Sequence, residues 1–321
     1  MTTPTASQPL LVLTEGAHST VTAALTVEGL AIDDGGQVVT LNMARGSPGE
    51  PRQKHHGDVP DGYIGYYLVP DMPQANQPVP PGPDQPLVQL RLQVGELISF
   101  DERHAVYDVK VIRSEPDTFY IPPLVIKVAQ TDEAGQLLPK EAAMYEHIRT
   151  LQGVVAPRFY GYFHVANPRS EWTRVPTSKP VIYDDYEDCP FPEDGSDVMP
   201  APEGPPPCTR MDVLLLEKVG KHLPPGQMSD KLIVDLRRMY HDLSSLHVDH
   251  FDYRPANVIY APESPPGLPG LPSPFRSSGK CVYGLRIIDF EGAQITTRTP
   301  LYQRKLIKQR LPGLIWGLMA S

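Results

Sequence analysis

Residues 246–257 read LHVDHFDYRPAN and lie between a long helical pattern and a short apolar run, Val258 to Tyr260. Asp252 precedes Asn257 by five positions, and Pro255 stiffens the loop between them because its ring fixes a backbone dihedral angle. Taken alone, the loop has a simple interpretation as a turn in which both side chains cap backbone N–H groups. Other segments of the chain indicate whether it has a chemical role.

Two apolar segments elsewhere in the chain each carry a charged residue. The buried-strand pattern Leu124 to Val128 contains Lys127, and the strand pattern that runs from Leu285 to Glu291 contains Asp289. A lysine in such a strand can bury its stem at a sheet edge and keep its ammonium group in water. The turn interpretation of residues 246–257, however, leaves Lys127 and Asp289 unexplained.

In chain order, these segments resemble the catalytic core of the protein-kinase-like superfamily. That family has a His-x-Asp loop followed by four residues and Asn, a metal strand that ends in Asp-Phe-Gly, and a strand that reads Val-Ala-Ile-Lys. The matching segments here are His250-Phe251-Asp252, Asn257, Asp289-Phe290-Glu291 and Val125-Ile126-Lys127. Glu291 and the Leu246-His247 pair look more like choline and aminoglycoside phosphotransferases and fungal kinase-like proteins. The resemblance covers roughly Val88 to Ala293.

The resemblance implies catalytic roles for three side chains. Asp252 would accept or orient the proton of the attacking hydroxyl, and Lys127 would neutralise phosphate charge. A helix glutamate would hold Lys127 in place, and Glu141 is the first choice, with Glu146 as the alternative. His250 would brace the loop by hydrogen bonds, although His247 and His250 could instead form a metal pair.

The resemblance also implies ATP and Mg²⁺ as cofactors. Asp289 would bind the metal ion that bridges the phosphates, and Asn257 would add a neutral oxygen ligand. Backbone groups near Glu217 and Val219, where the family joins its two lobes, would contact adenine. The first hairpin departs from the family, because its only glycine is Gly95 and its turn is charged. This departure argues against tight phosphate binding by the turn backbone.

Apolar periodicity predicts the main elements of this region. We expect a hairpin from Val88 to Val111, a helix from Pro139 to Leu151 with Pro139 at its first position, and a helix that begins at Asp230 with Ser229 as its cap. Buried strands are predicted at residues 159–165 and 211–217.

Composition limits the function further. The net charge of −9 and the isoelectric point of about 5.6 argue against nucleic acid or an anionic membrane as the main partner, although a local basic patch remains possible. The three cysteines are scattered, without metal-ligand spacing, which favours an intracellular and most simply cytoplasmic location. We expect neither a signal peptide nor a membrane-spanning segment.

The predicted fold is α+β, a two-lobed protein-kinase-like domain with a reduced C-terminal lobe. Residues 1–87 form a proline-rich, partly ordered extension, with strand patterns at Leu10 to Leu13, Val21 to Val27, Val38 to Leu41 and Tyr63 to Val69, and a linker at 70–86. Residues 88–321 form the kinase-like domain, with insertions at 167–210 and 262–278. The chain ends 32 residues after Asp289, which leaves room for only one or two further helices.

Two functions follow from these patterns. The first is transfer of the γ-phosphate of ATP to a hydroxyl group of a protein Ser or Thr or of a small molecule. The second is a pseudokinase that acts as a nucleotide-binding or protein-interaction module. The intact set of charged residues favours the enzyme, and the glycine-poor hairpin turn favours the module.

Overall fold

The computed structural model describes residues 11–12, 22–54, 88–115, 119–165, 173–174, 210–224, 226–275 and 281–320. These residues form fifteen strands and three α-helices, in a mixed α+β architecture. The strand predicted from Tyr63 to Val69, the linker at 70–86 and most of the insertion at 167–210 lie outside the described residues.

The strands follow the chain in short and long segments. Their bounds are β1 Leu11–Val12, β2 Thr22–Ile32, β3 Val38–Arg45, β4 Gln53–Lys54, β5 Val88–Phe100, β6 His104–Glu115, β7 Phe119–Tyr120, β8 Leu124–Ala129, β9 Phe159–Val165, β10 Thr173–Arg174, β11 Met211–Glu217, β12 Val248–Asp249, β13 Val258–Tyr260, β14 Leu285–Ile287 and β15 Gln294–Thr296. The predicted hairpin is present as β5 and β6, and the two predicted buried strands are present as β9 and β11.

Seven strands close into a barrel. Their order is β2, β3, β9, β11, β8, β6 and β5, and β5 pairs back to β2. Neighbours are antiparallel, except that β2 and β5 run parallel with Leu25 opposite Leu90. The α+β class is thus confirmed, and a closed barrel of seven strands is not a typical kinase lobe.

The barrel closes because strands from the predicted N-terminal extension pair with both edges of the five-stranded sheet formed by β5, β6, β8, β11 and β9. β2 pairs with β5, and β3 pairs with β9. Alternate residues of each strand point inward and form one apolar cluster. Its members include Leu25, Val27, Leu41, Met43, Leu90, Leu92, Val109, Ile126, Phe163 and Val213. Each such buried side chain contributes roughly 1.5–3 kcal/mol, so the extension strands contribute much of the core.

Helix α1, Asp132–His147, packs outside the barrel. The Thr131 hydroxyl accepts a hydrogen bond from the Ala134 N–H at 3.1 Å and caps the first turn. Pro139 therefore lies inside the helix, and the prediction that it occupies the first position was wrong. The proline removes one internal hydrogen bond, and its carbonyl accepts one from the Gly49 N–H at 2.9 Å. A short 3-10 helix at Arg149–Leu151 follows.

Two helices follow the last barrel strand in the chain, α2, Asp230–Ser245, and α3, Pro300–Ala320, and they pack together. The Ser229 hydroxyl caps α2, as predicted. A small antiparallel pair, β13 and β14, places Asn257 beside Ile288, whose N–H donates to the Asn257 carbonyl at 3.0 Å. In the described ranges, no helix is both long and apolar enough to span a bilayer.

Candidate active site

Lys127 lies in β8, and its side chain points away from the barrel interior. Leu124, Ile126 and Val128 fill the barrel, so the alternation of side chains directs Lys127 to the opposite face, beside α1. Its Nζ lies 2.8 Å from Glu141 Oε2 and 2.8 Å from Asp289 Oδ1. Burial by itself lowers the pKa of Lys127, but the charges and hydrogen bonds of the two carboxylates outweigh burial and raise it. The ammonium group therefore stays charged.

Glu141 links three segments of the chain. It projects from α1, is 1% exposed, and accepts a hydrogen bond from the Phe290 N–H at 3.3 Å in addition to the bond from Lys127. Burial raises the pKa of Glu141 to about 7, against the opposing charge of Lys127. Glu146, the alternative partner, lies instead within range of the charges of Arg149 and Arg45. The structure thus places Glu141, and not Glu146, at Lys127.

Asp289 lies at the turn that follows β14. Its backbone has a φ of 62°, a left-handed conformation that is uncommon for residues other than glycine and is found at functional positions. Burial by itself raises the pKa of Asp289, but Lys127 outweighs this effect and lowers the pKa, so the carboxylate is ionised. Its side chain remains 30% exposed and can therefore meet a ligand.

The loop 250–257 is braced from two sides. His250 is buried, and its two ring nitrogens lie 2.9 Å from the Ile288 carbonyl and 3.1 Å from the Asp252 carbonyl. Burial lowers the pKa of His250, so the ring is neutral and donates from one nitrogen. Phe251 has a φ of 64°, which turns the chain so that Asp252 follows outside the core. The bracing role predicted for His250 agrees with these contacts. His247 Nδ1 lies 3.2 Å from the Arg298 carbonyl.

Arg254 contacts both Asp252 and Asp289. No role for this residue was predicted from the sequence. Its Nε lies 2.7 Å and its Nη2 2.5 Å from the Asp252 carboxylate, and its Nη2 lies 3.7 Å from Asp289 Oδ2. The Arg254 side chain is 64% exposed. The only indication of this contact in the sequence is the position of Arg254, two residues after Asp252 and directly before Pro255.

Asn257 and Asp289 have the donor chemistry for a magnesium ion. Mg²⁺ is commonly held by one or two carboxylates together with phosphate oxygens and water. The Asn257 amide nitrogen is buried and has no hydrogen-bond partner among the described residues. Because the amide oxygen and nitrogen have the same shape, the oxygen can take that position and supply a neutral ligand. The residues present therefore fit the ion.

Glu217 and Val219 mark the predicted adenine contact. The Glu217 carboxylate is fully buried and is used by Arg158, whose Nη1 lies 2.5 Å from Oε1 and whose backbone N–H donates to Oε2 at 3.1 Å. The Glu217 backbone N–H also donates within the protein, to the Arg158 carbonyl at 2.9 Å. Val219 is half-buried in the following loop, between Lys218 and Gly220, whose N–H groups donate to the carbonyls of Pro123 and Tyr260.

The turn between β5 and β6 reaches the residue that follows Asp289-Phe290. Arg103 Nη1 lies 2.6 Å from Glu291 Oε1, and His104 Nδ1 lies 3.5 Å from Glu291 Oε2. In the sequence, this charged turn is a departure from the glycine-rich loop of the resembled family. Its ionic contact with Glu291 joins residues 188 positions apart, and local patterning gives no signal for such a contact.

Arg310 of α3 contacts the residues that directly precede Asp252. Its Nη1 lies 3.2 Å from Asp249 Oδ2, and its guanidinium carbon lies 5.1 Å from the centre of the Phe251 ring. The Asp249 carboxylate in turn accepts the Phe251 N–H at 3.2 Å. Arg310 therefore supports the left-handed residue that precedes Asp252, a role the sequence did not indicate.

No protein-family model matches the chain, and no curated protein sequence matches it. Matches among solved structures include a ROP18 kinase domain in complex with AMP-PNP and sucrose, with 14% identity and a TM-score of 0.34. The match covers 64% of this chain, which spans about half of that structure, 52%.

Proposed function

We propose that this chain is an ATP-dependent phosphotransferase that moves the γ-phosphate to a hydroxyl acceptor. The observation that supports the proposal best is the ion-pair cluster of Lys127, Glu141 and Asp289, whose members come from β8, α1 and the turn after β14. A structural role alone does not require a cation held between two carboxylates, one of which is 30% exposed. We propose that the chain is related to the choline and aminoglycoside phosphotransferases and fungal kinase-like proteins, and that it acts inside the cell.

Phosphoryl transfer depends on positioning and on charge neutralisation more than on covalent chemistry. Lys127 would neutralise phosphate charge, and Glu141 would fix its ammonium group. Asp289 and Asn257 would hold Mg²⁺, which when bound supplies further charge neutralisation at the phosphate oxygens. The backbone near Glu217 and Val219 would contact the adenine ring.

Asp252 would act on the acceptor. Its carboxylate takes the hydroxyl proton as the acceptor oxygen bonds to the γ-phosphorus and the bond from that phosphorus to the bridging oxygen breaks, so that ADP leaves. Arg254 now occupies the Asp252 carboxylate. We propose that its guanidinium group turns to the transferring phosphate when substrates bind, which frees Asp252.

The test measures ATP-induced thermal stabilisation and phosphate transfer on the same preparations. Mg²⁺ with ATP should raise the melting temperature of the wild type. Asp289→Ala should remove most of the rise, whereas Asp34→Ala, in the exposed β2–β3 turn, should retain it. Asp252→Asn should retain the rise and lose about 10²–10⁴-fold in transfer rate to a panel of protein and small-molecule acceptors. Equal transfer by the wild type and Asp252→Asn would refute the assignment.

The second candidate is a nucleotide-binding module without transfer activity. It is favoured by the Arg254 contact, which occupies the carboxylate that would act on an acceptor. A wild-type protein that gains stability from ATP but transfers phosphate to no acceptor, even water, would support this candidate over the enzyme.

A further inference from the structure

Residues 46–54, which we call the strap, run from the end of β3 through β4. At the start of the strap, the Gly46 N–H donates to the Tyr162 carbonyl of β9 at 2.9 Å, and a side chain at this position would overlap the Tyr162 ring. At its end, β4 pairs in parallel with β15, and the Ile295 N–H donates to the Arg52 carbonyl at 2.8 Å. The strap therefore connects the barrel to the three-stranded sheet of β12, β15 and β4.

Between its two ends, the strap contacts helix α1 at Pro139. The Gly49 N–H donates to the Pro139 carbonyl at 2.9 Å. The helix is weak at this point, because a proline lacks the N–H that would bond to the Gly135 carbonyl, and a glycine is itself a poor helix former. Glu141, which lies 2.8 Å from Lys127, follows two residues later and so projects from roughly the opposite side of the helix. The strap thus supports α1 next to the residue that pairs with Lys127.

The end of the strap is linked to the loop that contains Asp252. β15 lies between β4 and β12, and β12 ends directly before His250. The Thr296 N–H of β15 also donates to the His247 carbonyl at 2.9 Å, just before β12. Because β15 begins shortly after Asp289 in the chain, a displacement of β4 would shift backbone next to both acidic residues of the candidate site.

The strap is not needed to close the barrel. The barrel closes through the pairs β2–β5 and β3–β9, and β3 ends at Arg45, before the strap begins. Residues 47–50 of the strap are exposed, so this part buries little apolar surface, and its attachment depends on backbone hydrogen bonds. Contacts that add little to the core, yet connect α1 to the strands around the candidate site, indicate a positioning role.

From these contacts we propose that the strap positions the charged residues of the candidate active site. Through its bond to Pro139, it holds α1 where Glu141 reaches Lys127, and through β15 it holds the loop that contains Asp252. Gly49 is a positioning residue, because it acts on a nucleotide only through Glu141. The effect on ATP rests on the proposed function, whereas the attachment of the strap to α1 does not.

The first test removes one hydrogen bond of the strap. Gly49→Pro lacks the N–H that donates to Pro139. Gly49→Ala is the matched control, because it keeps the N–H and its added Cβ lies at an ordinary distance of 3.5 Å from Pro139. Hydrogen exchange measured by mass spectrometry should be roughly tenfold faster in α1 for Gly49→Pro, and unchanged in β8 and β11. Wild-type exchange rates of α1 in Gly49→Pro would overturn the proposal.

The second test determines whether the strap acts through Glu141. Calorimetry measures the affinity for ATP with Mg²⁺ of the wild type, Gly49→Pro, Glu141→Gln and the double variant. Each single variant should lose roughly tenfold, and the double variant little more, because both changes disable the same contact with Lys127. Gly49→Ala should bind ATP as the wild type does. A loss of roughly 100-fold in the double variant would refute the positioning role, since independent effects multiply.

A disulfide bond tests the same contact without removing it. A Cβ at position 49 lies 3.5 Å from the Pro139 Cβ, which allows Gly49→Cys/Pro139→Cys to form a disulfide. The oxidised and reduced forms are compared after peptide mapping has verified the bond. The oxidised form should exchange more slowly in α1 and keep the ATP affinity of the reduced form. A tenfold loss of affinity on oxidation would contradict the proposal, and this variant decides the matter if Gly49→Pro does not fold.

The outcomes separate this proposal from the proposed function. If the wild type does not bind ATP with Mg²⁺, the proposed function fails, and hydrogen exchange alone decides whether the strap holds α1. If the wild type and Gly49→Pro bind ATP equally well, the positioning role fails and the proposed function stands.

Discussion

Acid should lower the free energy of unfolding through protonation of His104. A single substitution at this residue can measure that contribution. Burial, with a further effect of the nearby Lys127 charge, lowers the pKa of His104 from 6.5 to about 4. Well above pH 6.5 the ring is neutral in both the folded and the unfolded chain. As the pH falls from 6.5 towards 4, the unfolded chain binds a proton that the folded chain does not, so the free energy of unfolding decreases.

The size of the effect follows from the two pKa values. A tenfold difference in proton affinity corresponds to about 1.4 kcal/mol. The gap between 6.5 and about 4 therefore gives a loss of about 2 kcal/mol at pH 5 and at most about 3 kcal/mol at lower pH. His104→Gln removes the titrating group and should lack this contribution.

The measurement is urea unfolding of the wild type and His104→Gln, followed by circular dichroism at several pH values from 7.5 to 5. Other titrating groups contribute equally to both proteins, so the difference between the two curves reports His104 alone. It should be constant above about pH 7 and change by about 2 kcal/mol by pH 5, in favour of the variant. Two parallel curves would refute the burial argument.

Three further substitutions test other contacts of the site. Glu141→Gln should weaken ATP binding by roughly tenfold because Lys127 loses an ionic partner, while Glu146→Gln should have little effect; calorimetry that ranks the two in reverse would contradict the assigned pairing. Arg310→Met should lower kcat by about tenfold with a smaller change in KM, since it loosens the loop and not the nucleotide site; steady-state kinetics with unchanged kcat would exclude a positioning role. Thr131→Ala should cost about 1 kcal/mol of stability in urea unfolding, and a loss near zero would mean that the cap is not formed.

Local patterns in the sequence predicted the elements that carry the candidate site. The strand around Lys127 and the capped helix from Asp230 are both present, because alternation, helical periodicity and capping chemistry are properties of neighbouring residues. The choice of Glu141 over Glu146 also agrees with the observed pairing with Lys127.

Long-range contacts could not be predicted in the same way. The pairing of β2 with β5 joins Leu25 to Leu90 across a long stretch of chain, and no local pattern in either strand indicates its partner. The positions of Arg103 and Arg310 depend on acidic residues far away in the chain. Pro139 was misplaced because a proline is more often the start of a helix than its middle, and the Thr131 cap decides the start here.

Closure of the barrel also has a consequence for how the chain could be shortened. The resemblance begins near Val88, and a fragment that begins there would lack β2 and β3. Removing them would leave N–H and C=O groups unpaired at residues 88–93 of β5 and at Phe163 and His164 of β9, and would open the apolar lining that now packs on Leu25 and Met43. Unprotected edges beside exposed apolar surface are templates for intermolecular strand addition. Such a fragment should aggregate during expression although it retains every residue of the candidate site.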